Sequence, residues 1–166
     1  TSLFSERVSQ IKALMPHAFI GVDVIVGTRG ETEEFFSDAY HYIKGLDISQ
    51  LHVFSYSERP GTKALQIPHI VSAEDKHQRS QALLDLSAQK LNSFYKRYVG
   101  SEALVLVEKS KRKGIMNGFT ENYIKVEMKS ALDLDNQIVR VCFGDYNEDT
   151  TALLAEIIAS PKTRRQ

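Results

Sequence analysis

Residues 20 to 30 decide the first part of the fold, and they read Ile20-Gly21-Val22-Asp23-Val24-Ile25-Val26-Gly27-Thr28-Arg29-Gly30. A nearly continuous apolar run of this kind is expected of a parallel strand that is covered on both faces. The glycine-rich turn after it leads to Thr32, which can cap a helix that begins with Glu33 and Glu34. The stretch therefore predicts a strand, a turn and a helix in an α/β domain.

Helix and strand signals alternate on both sides of this run, which is the pattern of parallel βα units. An amphipathic helix that ends at Pro16 is predicted by four apolar residues at helical spacing: Val8, Ile11, Leu14 and Met15. Residues 51–56 predict a second strand, which the turn-rich segment 57–62 follows. Together these signals predict an α/β domain over residues 1–71.

A long helix is predicted to follow, because Ser72-Ala73-Glu74-Asp75 has the form of a capping box. The helix is expected to cover residues 72–98 and to link two domains. Its buried stripe is predicted by residues that step by four and three: Leu84, Ala88, Leu91, Tyr95 and Tyr98.

Short strand candidates separated by turns replace the helix signals after Gly100. The candidates are Ala103–Val107, Tyr123–Met128, Ile138–Phe143 and Ala152–Ile158. Turns are predicted at Asn117-Gly118, Asp135-Asn136 and Gly144-Asp145. This pattern predicts a small antiparallel OB-like β-barrel over residues 99–160, followed by a basic tail over residues 161–166.

Composition limits the classes of function. The 166 residues include 21 basic and 21 acidic ones, so a nucleic-acid-binding surface would have to be local. No apolar run approaches the roughly 18 residues of a membrane span and no targeting segment is recognisable, which predicts a cytoplasmic protein without a membrane partner. The single cysteine, Cys142, cannot form an intrachain disulfide or a cysteine-ligated cluster, and its context predicts a buried strand residue.

Four stretches of the chain resemble, in order and spacing, the methylthiotransferase family of radical-SAM enzymes. They are Asp23-Val24-Ile25-Val26-Gly27, Gly30-Glu31-Thr32, His52-Val53-Phe54-Ser55-Tyr56-Ser57 with Arg59-Pro60-Gly61-Thr62, and Gly118-Phe119-Thr120-Glu121-Asn122-Tyr123-Ile124-Lys125-Val126. The last stretch is similar to the core of the family's TRAM domain. The family usually has Phe-Pro where this chain has Thr28-Arg29. The resemblance implies the C-terminal part of a radical-SAM (β/α) partial barrel, a linking helix and a TRAM barrel.

The resemblance also implies a function. The details are most similar to the branch that methylthiolates N6-threonylcarbamoyladenosine beside the tRNA anticodon, while related branches act on isopentenyladenosine in tRNA or on a ribosomal protein. The full-length enzymes use S-adenosylmethionine and cysteine-bound [4Fe–4S] clusters. Because it has one cysteine, this chain is expected to bind no cofactor by itself and to hold no catalytic or metal-binding residue. Its expected contribution to the enzyme is binding of the tRNA anticodon stem-loop. The alternative is a free-standing RNA-binding module.

Ligands of βα barrels lie at the carboxyl ends of the strands. Six residues near those ends are candidates for binding S-adenosylmethionine in the full-length enzyme: Ile25, Gly27, Thr28, Phe54, Tyr56 and Arg59. The apolar side chains could pack on adenine, Gly27 would permit a close approach, and Arg59 could bind a carboxylate or phosphate. Alternatively, the apolar residues belong to the barrel core, Gly27 only forms a turn and Arg59 is solvated.

A basic loop followed by aromatic residues is the candidate RNA-binding surface. It comprises Lys109, Lys111, Arg112, Lys113, Phe119, Asn122, Tyr123 and Lys125. Cations beside aromatic rings suit the binding of phosphates and the stacking of bases. The alternative is an ordinary solvated hairpin loop.

Asp23 interrupts the apolar run of the first strand, and an unpaired buried carboxylate is costly. His52, on the next strand, is therefore expected to be its partner, either by a direct hydrogen bond or through a shared bridging water. The strand at residues 20–26 would also lack the neighbour that precedes it in a complete barrel, and an unpaired apolar edge recruits another chain. Self-association is therefore expected.

Overall fold

The computed structural model describes residues 1–110 and 112–159. Contacts divide the chain into unit 1, Thr1–Ser93, and unit 2, which begins at Phe94. Within the described ranges, no helix has the length and apolar character that a membrane crossing requires.

Unit 1 consists of helices and two parallel strands. Its elements are α1 (Ser2–Leu14), β1 (Gly21–Val26), α2 (Glu33–Gly45), β2 (Gln50–Ser55), a short 3₁₀ helix (Lys63–Gln66) and α3 (Ala73–Lys96), whose last turn belongs to unit 2. The predicted caps are confirmed, because the hydroxyl of Thr32 accepts a hydrogen bond from the amide of Phe35 and that of Ser72 accepts one from the amide of Asp75.

The helices cover one face of the β1–β2 sheet. Val26 and Leu51 are buried on that face, against Val8 of α1 and Leu83 and Leu86 of α3. The other face is exposed and carries Gly21, Asp23 and Ile25 of β1 with His52 and Phe54 of β2. The prediction that both faces of β1 are covered is therefore wrong for the described residues.

Asp23 and His52 are partners in the register of the sheet, as expected from their position. Both are exposed, however, and no hydrogen bond joins them within the described chain. The predicted direct hydrogen bond is wrong, because the carboxylate lies on the open face of the sheet and is not buried; the alternative, a shared bridging water, stays a prediction. β1 pairs with no strand other than β2 among the described residues, and self-association through its other edge stays a prediction.

The buried stripe of α3 differs from the predicted one in the first half of the helix. Leu84 and Ala88 are exposed, whereas Leu83 and Leu86 are buried together with the polar residues Arg79 and Ser87. Apolar spacing alone misplaced the first half of the stripe by one residue, because it could not count an arginine and a serine among the buried positions; in the second half, Tyr95 is buried as predicted.

In unit 2, five strands of the described chain form a closed barrel, which confirms the predicted barrel. They are β3 (Glu102–Glu108), β4 (Ile115–Thr120), β5 (Lys125–Lys129), β6 (Ile138–Tyr146) and β7 (Leu153–Ala159), in the order β3-β4-β5-β7-β6. The antiparallel prediction is wrong for one pair, since β5 and β7 run parallel. Strand directions cannot alternate all the way round a ring with an odd number of strands, so one pair must be parallel.

β4 was missed by the sequence analysis. Asn117 and Gly118 lie inside it rather than in a turn. An added Cβ at Gly118 would lie 2.5 Å from the carbonyl oxygen of Leu106, so the glycine permits the close approach of β3. Cys142 lies in β6 as predicted, but it is only half-buried, because the inward positions of that strand are Val141 and Phe143.

Candidate functional site

The candidate cofactor residues of unit 1 lie at the carboxyl ends of β1 and β2. Ile25 and Phe54 are register partners on the open face of the sheet, and their side chains are 59% and 53% exposed. Neither belongs to the core of unit 1. Tyr56 extends the pairing beyond the strands, because its amide donates to the carbonyl of Val26 at 2.9 Å. These residues form an exposed apolar strip on which a flat ring could pack.

Gly27 opens the loop after β1 and has a φ of +78°, a conformation that favours glycine. The space where a Cβ would lie is filled by the side chain of Lys76, whose Cγ would be 2.4 Å away. The ammonium of Lys76 lies 5.6 Å from the centre of the Tyr56 ring, a cation–π contact. A turn and a close neighbour therefore account for the glycine without a ligand.

Thr28 and Arg29 occupy the positions where the similar family has Phe-Pro. The carbonyl of Thr28 accepts a hydrogen bond from the amide of Glu31 at 3.1 Å. The guanidinium of Arg29 binds the carboxylate of Glu58 at 2.6 Å and donates to the carbonyls of Leu65 and Ile67. Its hydrogen bond to Glu58 lowers the pKa of that carboxyl. Arg29 thus connects the loop after β1 to the segment after β2 by hydrogen bonds and a salt bridge.

Arg59 is exposed, and its side chain has no hydrogen-bonding or ionic partner in the described part of the chain. The backbone carbonyl of Arg59 accepts hydrogen bonds from the amide and hydroxyl of Thr62, which close the turn. The guanidinium is therefore available to an anionic group.

Arg79 of α3 was not identified from the sequence, although it supports the same loop. Its guanidinium donates to the carboxylate and carbonyl of Glu31 at 2.8 and 3.1 Å, and to the carboxylate of Glu33 at 3.1 Å. The Glu31 carboxylate in turn accepts the amide of Gly27. Burial opposes the charge of Arg79, but the hydrogen bonds to the two glutamates outweigh it and raise its pKa. The sequence signal that could have identified Arg79 is its spacing of four residues from Leu83, which places both residues on the same face of α3.

In unit 2, Phe119 lies in a row of side chains across the outside of the barrel. It is half-buried and pairs with Lys125 of β5 on one side and with Leu106 of β3 on the other. Leu106 is also the register partner of Ile138. The structure thus places Phe119 and Lys125, two of the predicted RNA-binding residues, side by side.

The basic loop is only partly available for binding anions. Lys109 and Lys113 are exposed, and Lys111 lies outside the described residues. Arg112, by contrast, forms a salt bridge with Glu127 of β5, whose carboxylate also accepts a hydrogen bond from Asn147. The positive charge of Arg112 is therefore partly balanced within the barrel.

Asn122 and Tyr123 form the turn between β4 and β5. The hydroxyl of Thr120 donates to the side-chain oxygen of Asn122 at 2.7 Å and accepts the amide of Ile124 at 2.9 Å. Tyr123 has a φ of +60°, and its side chain is 66% exposed. An aromatic residue is uncommon in this conformation.

No group of three histidine, cysteine or acidic side chains within the described ranges is arranged to hold a metal ion. The described side chains offer two surfaces suited to binding: the exposed apolar strip of Ile25 and Phe54 in unit 1, and Lys125 beside Phe119 in unit 2.

Comparison with known proteins gave no matching family model, but it gave curated relatives. The threonylcarbamoyladenosine tRNA methylthiotransferase of Bacillus subtilis is 34% identical over 142 residues, which is 83% of this chain and 32% of the relative. The enzyme of the same name from Aquifex aeolicus is 35% identical over 83% of this chain and 32% of its own length. The tRNA-2-methylthio-N(6)-dimethylallyladenosine synthase of Aliarcobacter butzleri is 32% identical over 93% of this chain and 35% of its own. The chain thus spans about a third of the length of these relatives.

Proposed function

We infer that this chain, a homologue of tRNA methylthiotransferases over most of its length, is the C-terminal part of such an enzyme and supplies substrate binding rather than catalysis. The observation that carries the proposal is the identity of 32–35% to these enzymes across at least 83% of the chain. Two of these relatives are named for threonylcarbamoyladenosine in tRNA, which favours that nucleoside beside the anticodon over isopentenyladenosine. A tRNA partner would place the protein in the cytoplasm.

In this proposal, unit 1 contributes the last strands of a radical-SAM barrel. The exposed strip of Ile25 and Phe54 is suited to adenine, since an aromatic base is stabilised by burial against apolar side chains. Tyr56 and the backbone at Gly27 and Thr28 border that strip, and the guanidinium of Arg59 suits the carboxylate of S-adenosylmethionine. S-Adenosylmethionine, when bound, would supply the radical chemistry, and these side chains would hold it.

The described residues do not fit an iron–sulfur cluster, because a cluster needs several cysteine ligands and the sequence contains only Cys142. The proposal therefore assigns the cluster ligands to other parts of the full-length enzyme.

Reconstitution with iron and sulfide is accordingly expected to leave this chain colourless, because one thiolate cannot complete a ligand set. Iron content and absorption in the visible range are the measurements. Stoichiometric iron with a cluster-like absorption band would contradict the assignment.

Unit 2 would be the RNA-binding part, a TRAM-type barrel of the OB-like kind. Lys109 and Lys113 would contact phosphates, while Phe119 and Tyr123 would stack on unpaired bases. Lys125 lies beside Phe119, and Arg112 would bind phosphate only if it leaves Glu127. The exposed side chains of Lys109 and Lys113 and the exposed ring of Tyr123 support this division of roles.

The test is the salt dependence of binding to a tRNA anticodon stem-loop. Contacts to about four phosphates would make the plot of log affinity against log salt fall with a slope of roughly −3 to −4. The double replacement Lys109→Glu and Lys113→Glu should flatten the slope by about 1.5 to 2, because two phosphate contacts and their released counterions are lost. Phe119→Ala should weaken binding with little change of slope, since stacking releases no counterions.

The matched control is Lys44→Glu with Lys63→Glu, which makes the same charge change at two exposed lysines of unit 1. It should leave the slope near the parental value. If the control and the loop variant flatten the slope equally, net charge rather than the basic loop governs binding, and the loop is a solvated turn.

A further inference from the structure

The turn between β4 and β5 holds its exposed aromatic ring in an unfavourable backbone conformation. Tyr123 has a left-handed φ of +60°, which costs free energy for a residue with a bulky side chain. The neighbouring Ile124 is completely buried in the barrel, while the side chain of Tyr123 is mostly exposed. A strained residue persists only where its surroundings determine its conformation.

The hydroxyl of one tyrosine on α3 holds much of this turn in place. The hydroxyl of Tyr95, in the last turn of α3, donates to the carbonyl of Tyr123 at 3.3 Å and accepts the amide of Lys125 at 3.0 Å. It therefore binds the backbone on both sides of Ile124. The ring of Tyr95 is 95% buried and stacks on the ring of Tyr146, with centroids 6.4 Å apart.

Hydrogen bonds within the turn complete the arrangement. The amide of Tyr123 donates to the carbonyl of Thr120, and the amide of Thr120 donates to the carbonyl of Ile124, both at 3.1 Å. Together with the Tyr95 hydroxyl, these bonds hold the backbone on both sides of Ile124. The direction of the Cα–Cβ bond of Tyr123 is therefore set before any ligand binds.

We propose that Tyr95 is a positioning residue that holds Tyr123 as a preorganised stacking platform for an unpaired nucleobase of RNA. The inference rests on the proposed RNA-binding function and goes beyond it, because Tyr95 would act on RNA only through Tyr123. A ring whose backbone is already fixed loses less conformational freedom when a base stacks on it, which favours binding. Lys125, whose amide the same hydroxyl binds, lies beside the platform in sequence and can reach the phosphate of the stacked nucleotide.

The competing interpretation is that Tyr95 only stabilises the barrel, by keeping Ile124 in the core. Both interpretations predict that Tyr95→Phe lowers the melting temperature, because the Tyr123 carbonyl and the Lys125 amide lose a buried partner. Only the platform predicts that the effect on RNA affinity depends on the ring of Tyr123.

A double-mutant cycle on the full chain separates the two interpretations. Affinity for a fluorescent tRNA anticodon stem-loop is measured for the parent, Tyr95→Phe, Tyr123→Ala and the double variant, well below their melting temperatures. Tyr123→Ala should weaken binding roughly tenfold, and Tyr95→Phe roughly threefold. In the Tyr123→Ala background, Tyr95→Phe should cause no further loss of affinity, although it still lowers the melting temperature. Tyr146→Phe is the matched control, because it leaves both hydrogen bonds of the Tyr95 hydroxyl in place.

The possible failures are distinguishable. If Tyr123→Ala weakens binding and Tyr95→Phe either has no effect or adds an equal loss in both backgrounds, the positioning role is overturned and the proposed function stands. If Tyr123→Ala binds as tightly as the parent, the platform itself is overturned. If the parent chain does not bind the stem-loop at low salt, the proposed function fails and this inference fails with it.

Discussion

Gly118→Ala is expected to destabilise the barrel of unit 2 by about 3 kcal/mol or more, at or above the upper end of the usual cost of overpacking a core. The added Cβ would lie 2.5 Å from both the carbonyl oxygen of Leu106 and Cγ1 of Val105. The carbonyl is backbone in the neighbouring strand β3, so it cannot move aside as the end of a flexible side chain can. Relief would require β3 and β4 to separate along their hydrogen-bonded ladder.

Urea unfolding monitored by circular dichroism is the measurement, and Gly144→Ala is the matched control. Gly144 lies in β6 of the same barrel, but its added Cβ would meet the carbonyl oxygen of Leu154 at 3.5 Å, an ordinary contact. The control should change the free energy of unfolding by less than about 1 kcal/mol. A Gly118→Ala variant with the parental unfolding midpoint would show that β3 and β4 are not packed as described.

Arg79→Met should destabilise unit 1 by about 3 kcal/mol, because removal of one member of a buried ion pair leaves the other without its partner. The side chains of Arg79 and Glu31 are only 8% and 15% exposed. Methionine keeps most of the apolar volume of the arginine side chain. The loss of stability therefore reports mainly on the charge of Arg79 and its hydrogen bonds. The amide of Gly27 should also exchange faster with solvent, since its acceptor is the Glu31 carboxylate that Arg79 holds.

Glu33→Gln is the control for this prediction. Glu33 binds the same guanidinium, but its side chain is 81% exposed, and an exposed ion pair contributes little. The control should shift the free energy of unfolding by less than about 1 kcal/mol and leave the exchange of the Gly27 amide unchanged. Parental stability of Arg79→Met, with a protected Gly27 amide, would show that the loop is held by other contacts.

Arg29 and Arg79 together hold the loop in which this chain has Thr28-Arg29. The side chain of Arg29 reaches two carbonyls and a carboxylate of the segment after β2. The loop after β1 is thus held by Arg29 from within and by Arg79 from α3. Sequence patterns treat both residues as solvated charges, because their partners are 29 to 48 positions away along the chain.

Local signals of the sequence located most of the elements. Thr32 and Ser72 cap their helices because a side-chain oxygen within three residues satisfies a free amide, and such contacts depend on the nearby chain alone. Alternation of apolar residues likewise located β3 and β6. β4 was missed because Asn117-Gly118 is a common turn pair, and the glycine is explained only by the approach of β3.

By itself, the sequence determined most of the elements in their order, the change from an α/β part to a barrel, and the resemblance to tRNA methylthiotransferases, because all three depend on residues close together in the chain. The tertiary structure decided which face of β1 is open, which α3 residues are buried, and which cations are already paired. These properties depend on distant partners. Asp23 is exposed because no helix covers its face, and Arg112 is paired because β5 brings Glu127 beside it. The backbone carbonyl of Tyr123 is hydrogen-bonded because the last turn of α3 brings the Tyr95 hydroxyl to it. Packing and hydrogen bonding over such separations leave no periodic trace in the sequence.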